Sequence, residues 1–227
     1  MKLKSVITCE HGGNSIPPAY SHLFTNASEV LTSHRGWDPG ALEIAIELSH
    51  HLNAPLFKCE ATRLLVEPNR SLFSESLFSE YSAQLTLAER DEVLRQYYYP
   101  HRSGVEKWIQ AVSGRVLHLS IHSFTPVFND IRRLVDIGLL FDPARLNEAM
   151  FCEQYRDALI RVLPEKAILY NEPYKGIDDG FTTHLRTIFD DDRYLGIEIE
   201  VNQKYTEPNF NKEIVDALKR ALDMIMG

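Results

Sequence analysis

The sequence predicts an α/β protein with helices on both faces of a mixed central sheet, a three-layer α/β/α arrangement. Three observations carry this. Runs rich in β-formers alternate with runs of helical apolar spacing. Helix-start signals stand at Asp38-Pro39 and at Thr86. The 227 residues, 44% hydrophobic and 25% charged, suffice for a packed core without staples. No linker or compositional break appears, so one domain over residues 1–227 is expected.

Residues 4–9 (KSVITC) read as a strand running into the polar turn EHGGN. Pro17 and Pro18 forbid a simple helix there. Asp38-Pro39 looks like an N-cap followed by proline at the first helical position, opening the helix that contains ALEIAIELSHHL. Residues 55–59 and 62–66 read as short strands. Residues 70–84 are Ser-rich and irregular, a loop or lid; their tandem SLFSE is too short to be an architectural repeat. Thr86 and Glu89 form a capping box for a helix over 87–112, with a kink expected at Pro100. Strands are expected at 115–121, 134–141, 166–170 and 194–201, and helices at 143–162 and about 211–226.

The formal charge of −8, with no Lys/Arg run, argues against a nucleic-acid binder and against an anionic membrane surface. A negatively charged substrate would need a local basic pocket. Cys9, Cys59 and Cys152 form no CxxC pair, which suggests a reduced, intracellular chain. The apolar part of the N-terminus is too short for a signal peptide, and no apolar run approaches the ~20 residues of a membrane helix. A soluble, cytoplasmic protein is expected. The sequence leaves the oligomeric state open.

Ligands of open α/β sheets bind beyond the carboxyl ends of the strands. After the first strand comes His11, in a Gly-Gly turn that lets the backbone approach a ligand. After RVLHLSI comes His122, at the strand end; His118, mid-strand, reads as a core or supporting residue. Glu198 and Glu200 share one face of an apolar strand, where a carboxylate is expensive unless paired or working. Arg63 and the pair Asn69-Arg70 bracket a turn and suit either surface ion pairs or a clamp on a substrate carboxylate. Asp38 suits helix capping or metal ligation, with His34 nearby as a supporting group. No GxSxG, Walker A, HExxH or GxGxxG pattern is present.

The segments ITCEHGGNSIPP, HRGWDPGA, TRLLVEPNR, HLSIHSFTP, NEPYKG and GIEIEVNQ, in that order, resemble the N-formylglutamate amidohydrolase family. The resemblance runs from about residue 7 to 203, and HSFTP with NEPY is its most specific part. It implies kinship with zinc carboxypeptidases and aspartoacylase and a phosphorylase/hydrolase-like fold. Those enzymes use an H-x-x-E motif and a later His for zinc. Here Asn14 stands where that Glu would be, Asp38 is the candidate for the missing oxygen ligand, and His122 matches the later His. Arg63, Asn69 and Arg70 resemble the set that holds the substrate carboxylate. The general base falls on Glu200, or on Glu198 in the other register; the Arg that often follows two residues later is replaced by Asn202 or Glu200. Tyr174 could close over the substrate, Asn171 and Glu172 shape its loop, and His184 and Arg186 lie in a segment that could also reach the pocket.

The resemblance therefore implies hydrolysis of the amide of a small N-acylated amino acid by water activated on one zinc or other divalent ion. An amidase or carboxypeptidase acting on short peptides or cell-wall fragments, and a metal-free carboxylate-binding protein, are the alternatives. The partner in each case is a small carboxylate.

Overall fold

The computed structural model describes residues 3–206 and 212–227. Its strands are β1 (Lys4–Cys9), β2 (Leu56–Lys58), β3 (Val116–Phe124), β4 (Val127–Phe128), β5 (Ile131–Arg132), β6 (Ile137–Leu140), β7 (Ile168–Tyr170) and β8 (Tyr194–Asn202). Its helices are α1 (Ser28–Thr32), α2 (Ala41–Leu52), α3 (Leu87–Val93), α4 (Tyr99–Ala111), α5 (Leu146–Val162), α6 (Phe181–Ile188) and α7 (Lys212–Met226). Six strands form one sheet in the order β2-β1-β3-β8-β6-β7. β2, β1, β3 and β8 run parallel; β6 pairs antiparallel with β8, and β7 follows β6. The sheet is mixed, as the sequence predicts.

Side-chain alternation gives the two sheet faces different chemistry. Ile7, Leu119 and Ile197 align across the sheet, and with Cys9, Leu117, Ile121, Ile199 and Val201 they pack on α2, α5 and α7 in the main core. Each such fully buried Leu or Ile contributes roughly 1.5–3 kcal/mol. The opposite face aligns Val6, His118 and Gly196, then Thr8, Ser120 and Glu198. It meets α4 and α6 through Val105, Ile109, Phe181 and Leu185. These are the three expected layers, with His118, Ser120, His122, Glu198 and Glu200 all on one sheet face. A third apolar cluster, including Tyr20, Leu65, Leu77 and Tyr98, lies under the loop segments before α4.

Several local expectations need correction. Residues 62–66 form turns, not a strand: the Thr62 hydroxyl donates to the Gly36 carbonyl, and the Leu65 amide to the Thr62 carbonyl. Asp38 is not the cap of α2. That place is taken by Gly40 at φ +77°, where a residue without Cβ is favoured, and the Asp38 carboxylate turns inward. The helix expected over 87–112 is divided by a π-helical turn at Leu94–Tyr98, just before the Pro100 that lacks an amide proton. The hairpin β4–β5 and the helix α1 are too short to show a period, and α6, though amphipathic with Phe181 and Leu185 buried, spans only eight residues. The expected start of the last helix at 211 lies outside the described residues. The two SLFSE copies diverge: Leu72 is 43% exposed while its counterpart Leu77 is buried, so the repeat is not structural. No helix among the described residues is long and apolar enough to cross a membrane.

Candidate metal centre and active-site cleft

The loop after β1 carries His11, the end of β3 carries His122, and the turn before α2 carries Asp38. All three are at most 4% exposed. His11 Nδ1 lies 3.1 Å from Asp38 Oδ2, His122 Nδ1 lies 3.0 Å from the same oxygen, and the two Nδ1 atoms are 3.2 Å apart. The partners of the other ring nitrogens fix both tautomers. His11 Nε2 donates to Glu67 Oε1 at 2.5 Å. The Ser120 hydroxyl donates to Glu10 Oε2 at 2.7 Å, so it can only accept, at 2.9 Å, from His122 Nε2. Both Nδ1 atoms and a carboxylate oxygen therefore converge on one point while the far ring nitrogens are committed to other partners, an arrangement that suits a cation. The separations are close to the roughly 3.3 Å edge of a tetrahedron of ligands about 2.0–2.1 Å from zinc. Donors backed by carboxylates on their far nitrogens are the usual setting of ligating histidines. The residues present fit a divalent metal.

The electrostatics agree. Burial raises the Asp38 carboxyl pKa, but His11, His122 and Arg63 outweigh this and hold it well below the usual range. Glu67 is likewise held low by Arg63 and His11 against its burial. Burial lowers the His122 pKa, yet the Asp38 and Glu10 carboxylates push it well above the ordinary value. The carboxylates around the two imidazoles favour positive charge at the centre, as a proton or as a bound cation.

Glu198 and Glu200 line the cleft beside this cluster. Neither meets solvent freely, at 8% and 5% exposure. Glu200 is the register partner of His122. Its Oε2 is buried without a partner, whereas Glu198 accepts from the Thr182 hydroxyl. Burial raises the Glu200 pKa and His122 opposes this, while Asp38 and Glu198 raise it further, to about 7. On its other side, Gly138 of β6 pairs with Glu200. A Cβ there would lie 1.9 Å from the Glu172 carbonyl and 3.3 Å from the Glu200 Cβ, so glycine lets the 171–174 loop close onto the strand.

The cleft, about 160 Å³, is below the range of drug-sized sites and suits a compact ligand. His34, Arg63, Asn69, Arg70 and Tyr174 also line it. Arg63 turns toward Glu67 and Asp38 with all three of its nitrogens, which differs from a free clamp on substrate. Arg70 is tied through one Nη to the Asn69 and Asp179 carbonyls, leaving Nε and the other Nη open. Asn69 accepts from the Phe181 amide and keeps its own NH2 for the cleft. Tyr174 stacks on Arg133, and His34 lies edge-on to Phe128 at the mouth. Asn14 is not in the cleft; its side chain donates to the Leu31 carbonyl. His184 and Arg186 do not reach the cleft either: they bind Glu106 and Glu148, because α6 turns that face to its helical neighbours. Within the loop 70–84, Arg70 lines the cleft and Ser71 binds Asp179 at its rim. His118 is held in the core by Thr8 and Tyr194, and burial lowers its pKa to about 4. Asn171 shapes its loop by accepting from the Phe141 and Gly176 amides.

The sequence reading passed over Glu10, Glu67, Ser120 and Thr182. The available signal was a carboxylate beside a candidate ligand within an apolar stretch, as at Cys9-Glu10-His11 and Val66-Glu67.

No curated protein matches this chain. A gene product from Agrobacterium tumefaciens of known crystal structure is 29% identical, with a TM-score of 0.77 over 100% of this chain and 93% of that one. The CwlD amidase of Clostridioides difficile, solved with the GerS lipoprotein, is 13% identical at a TM-score of 0.43, over 97% of both chains. A metallo-carboxypeptidase from Burkholderia cenocepacia is 12% identical at 0.42, over 100% of this chain and 57% of that one. The last two are too distant to inform its chemistry. The N-formylglutamate amidohydrolase family model matches residues 3–206, which hold the whole described sheet and every residue of the cleft, and the chain belongs to that family.

Proposed function

We propose that the chain is one metallohydrolase domain that cleaves the amide of a small N-acylated acidic amino acid of the N-formylglutamate type. The observation that carries this is the convergence of two imidazole nitrogens and a carboxylate oxygen on one point, beside a buried carboxylate with one oxygen unpartnered. His11, Asp38 and His122 would hold one divalent metal, with zinc the best fit to two imidazoles and a carboxylate. Such an ion lowers the pKa of its water toward about 7 and polarises an acyl oxygen.

The chain's own residues do the rest. Glu200 takes the proton of the attacking water and returns it to the leaving amine nitrogen, a task suited to a carboxyl whose pKa lies near neutrality. Glu198, tethered by Thr182, is the less free of the two. Arg70 and the Asn69 amide orient the substrate carboxylate, and Tyr174 borders the same space. Arg63 holds Asp38 and Glu67 in place and presents only its remaining N–H groups to the substrate. Glu10 and Glu67 set the imidazole tautomers.

The test is metal content followed by a substrate panel. Protein purified without chelator should carry about one zinc per chain, lost in His11→Ala. The loaded enzyme should release the amino acid from N-formylglutamate or a close N-acyl analogue faster than it cleaves short peptides. A chain that takes up no divalent metal on reconstitution refutes the proposal; preference for peptides would move the assignment to an amidase or peptidase.

A further inference from the structure

Behind the metal centre, on the same sheet face, lies a second group of reactive side chains that the hydrolytic reading does not use. β2 places Phe57 toward α4, where it packs with Val105 and Ile109. The Cys59 amide continues the strand ladder by donating to the Cys9 carbonyl. By alternation, Cys59 therefore faces α4 as Phe57 does. Cys9, Cys59 and Cys152 are all free thiols; Cys9 and Cys152 are fully buried, and only Cys59 is partly exposed. It shares a surface cleft with His101, in the first turn of α4, and with Gln96, Tyr97 and Pro100.

His101 is 7% exposed. Its Nε2 faces Glu10 Oε1 at 3.2 Å, and Glu10 is fully buried. Its Nδ1 is buried with no hydrogen-bond partner. Burial alone would lower the imidazole pKa; the adjacent Cys59 and then Glu10 outweigh it and lift it to about 10. A thiol, an imidazole with one vacant nitrogen and an orienting carboxylate are the parts that activate a nucleophilic cysteine. On the other side, a Cys9–Cys59 bridge is disfavoured, because Cys9 lies in the core on the opposite sheet face.

We propose that Cys59 and His101 form a thiolate–imidazolium pair, a modification site for low-molecular-weight disulfides. The thiol proton moves to His101 Nδ1. The thiolate attacks one sulfur of the disulfide, forming a new S–S bond as the reagent's own S–S bond breaks. The released thiolate takes the proton from His101 and leaves as a thiol. Cys59 is oxidised and half of the reagent is reduced. The pair reaches the metal centre through Glu10, which also faces His122. The proposal does not depend on which amide the cleft hydrolyses.

The experiment treats the native full chain at pH 6 with 2-hydroxyethyl disulfide and follows intact mass, with peptide mapping of the adduct. Glutathione reacting with the same reagent is the comparison. With the imidazolium beside it favouring the thiolate, Cys59 should react severalfold faster than glutathione at that pH. Cys59→Ser should abolish the native adduct. His101→Gln, with its fold checked by melting, should bring the rate down to that of glutathione. Reaction at Cys59 no faster than glutathione, or an adduct on Cys9 or Cys152 instead, would overturn the proposal. So would an unchanged rate in a folded His101→Gln. If that variant does not fold, the comparison with glutathione and Cys59→Ser decides alone.

Discussion

Replacing Glu200 by Gln should stabilise the metal-free protein above neutral pH while removing its activity. The carboxyl is 5% exposed and one oxygen has no partner, and burial is the largest reason its pKa stands at about 7 rather than 4.5. A carboxyl whose pKa is raised by folding keeps its proton longer in the folded state. Its stabilising contribution is complete below about pH 4.5 and is lost as pH climbs through 7. Each pH unit of that gap is worth about 1.4 kcal/mol, so the loss amounts to about 3 kcal/mol. Gln fills the same space without a charge to bury. Urea unfolding of both proteins in chelator, between pH 4 and 8.5, gives the difference in stability at each pH. That difference should be flat below pH 4.5, then shift by about 3 kcal/mol in favour of the variant and level off above pH 7.5. Subtraction removes the titrations that both proteins share. A difference that stays flat across the whole range would mean that Glu200 ionises as an ordinary carboxyl, and its proposed role as base would lose its physical ground.

Other perturbations separate the parts of the centre. Glu67→Gln leaves His11 without its anionic partner, and should weaken zinc binding ~10–100-fold in a chelator competition; unchanged affinity would mean that Nδ1 is not the ligating atom. Arg70→Ala should raise KM for an acidic substrate ~10–100-fold with little change in kcat, since a hydrogen bond to a charged group is worth about 1.5–3 kcal/mol. Equal losses for acidic and neutral substrates in steady-state assays would argue against the carboxylate contact. Gly138→Ala sets a methyl against the Glu172 carbonyl and should lower stability by roughly 2 kcal/mol or more, read as a fall in melting temperature, with activity lost through displacement of Glu200.

The fold was legible where periodicity is strong. β1, β3 and β8 are nine or fewer residues of β-formers, and α2 and α7 carry helical apolar stripes. Short elements such as β4, β5 and α1 are set by tertiary contacts and leave no period to read. His11 and His122 were legible because they stand at strand ends, and Glu198 and Glu200 because they interrupt an apolar strand. Their roles were less so: Asp38-Pro39 carries the local chemistry of a cap, and only the fold reveals that His11 and His122 draw the carboxylate inward. Arg63 and Glu67 lie four residues apart, yet their pairing depends on a turn where the sequence suggests a strand.

One feature of the sheet explains why so many costly groups are tolerated together. His122 and Glu200 sit opposite each other on adjacent parallel strands, and Ser120 and Glu198 do so two residues earlier. Neighbouring strands lie about 4.8 Å apart, so backbone pairing rather than loop conformation sets the spacing between the candidate metal ligand and the candidate base. The same alternation points Leu119, Ile121, Ile197 and Ile199 into the main core. A slip of one residue between β3 and β8 would drive Glu198 and Glu200 into that core and expel the isoleucines. The apolar face therefore fixes the register, and the register holds a buried imidazole and a buried carboxylate at a separation that neither would adopt alone. Stability is supplied on one face of the strands and consumed on the other, which is how a chain of ordinary composition keeps a preorganised polar centre.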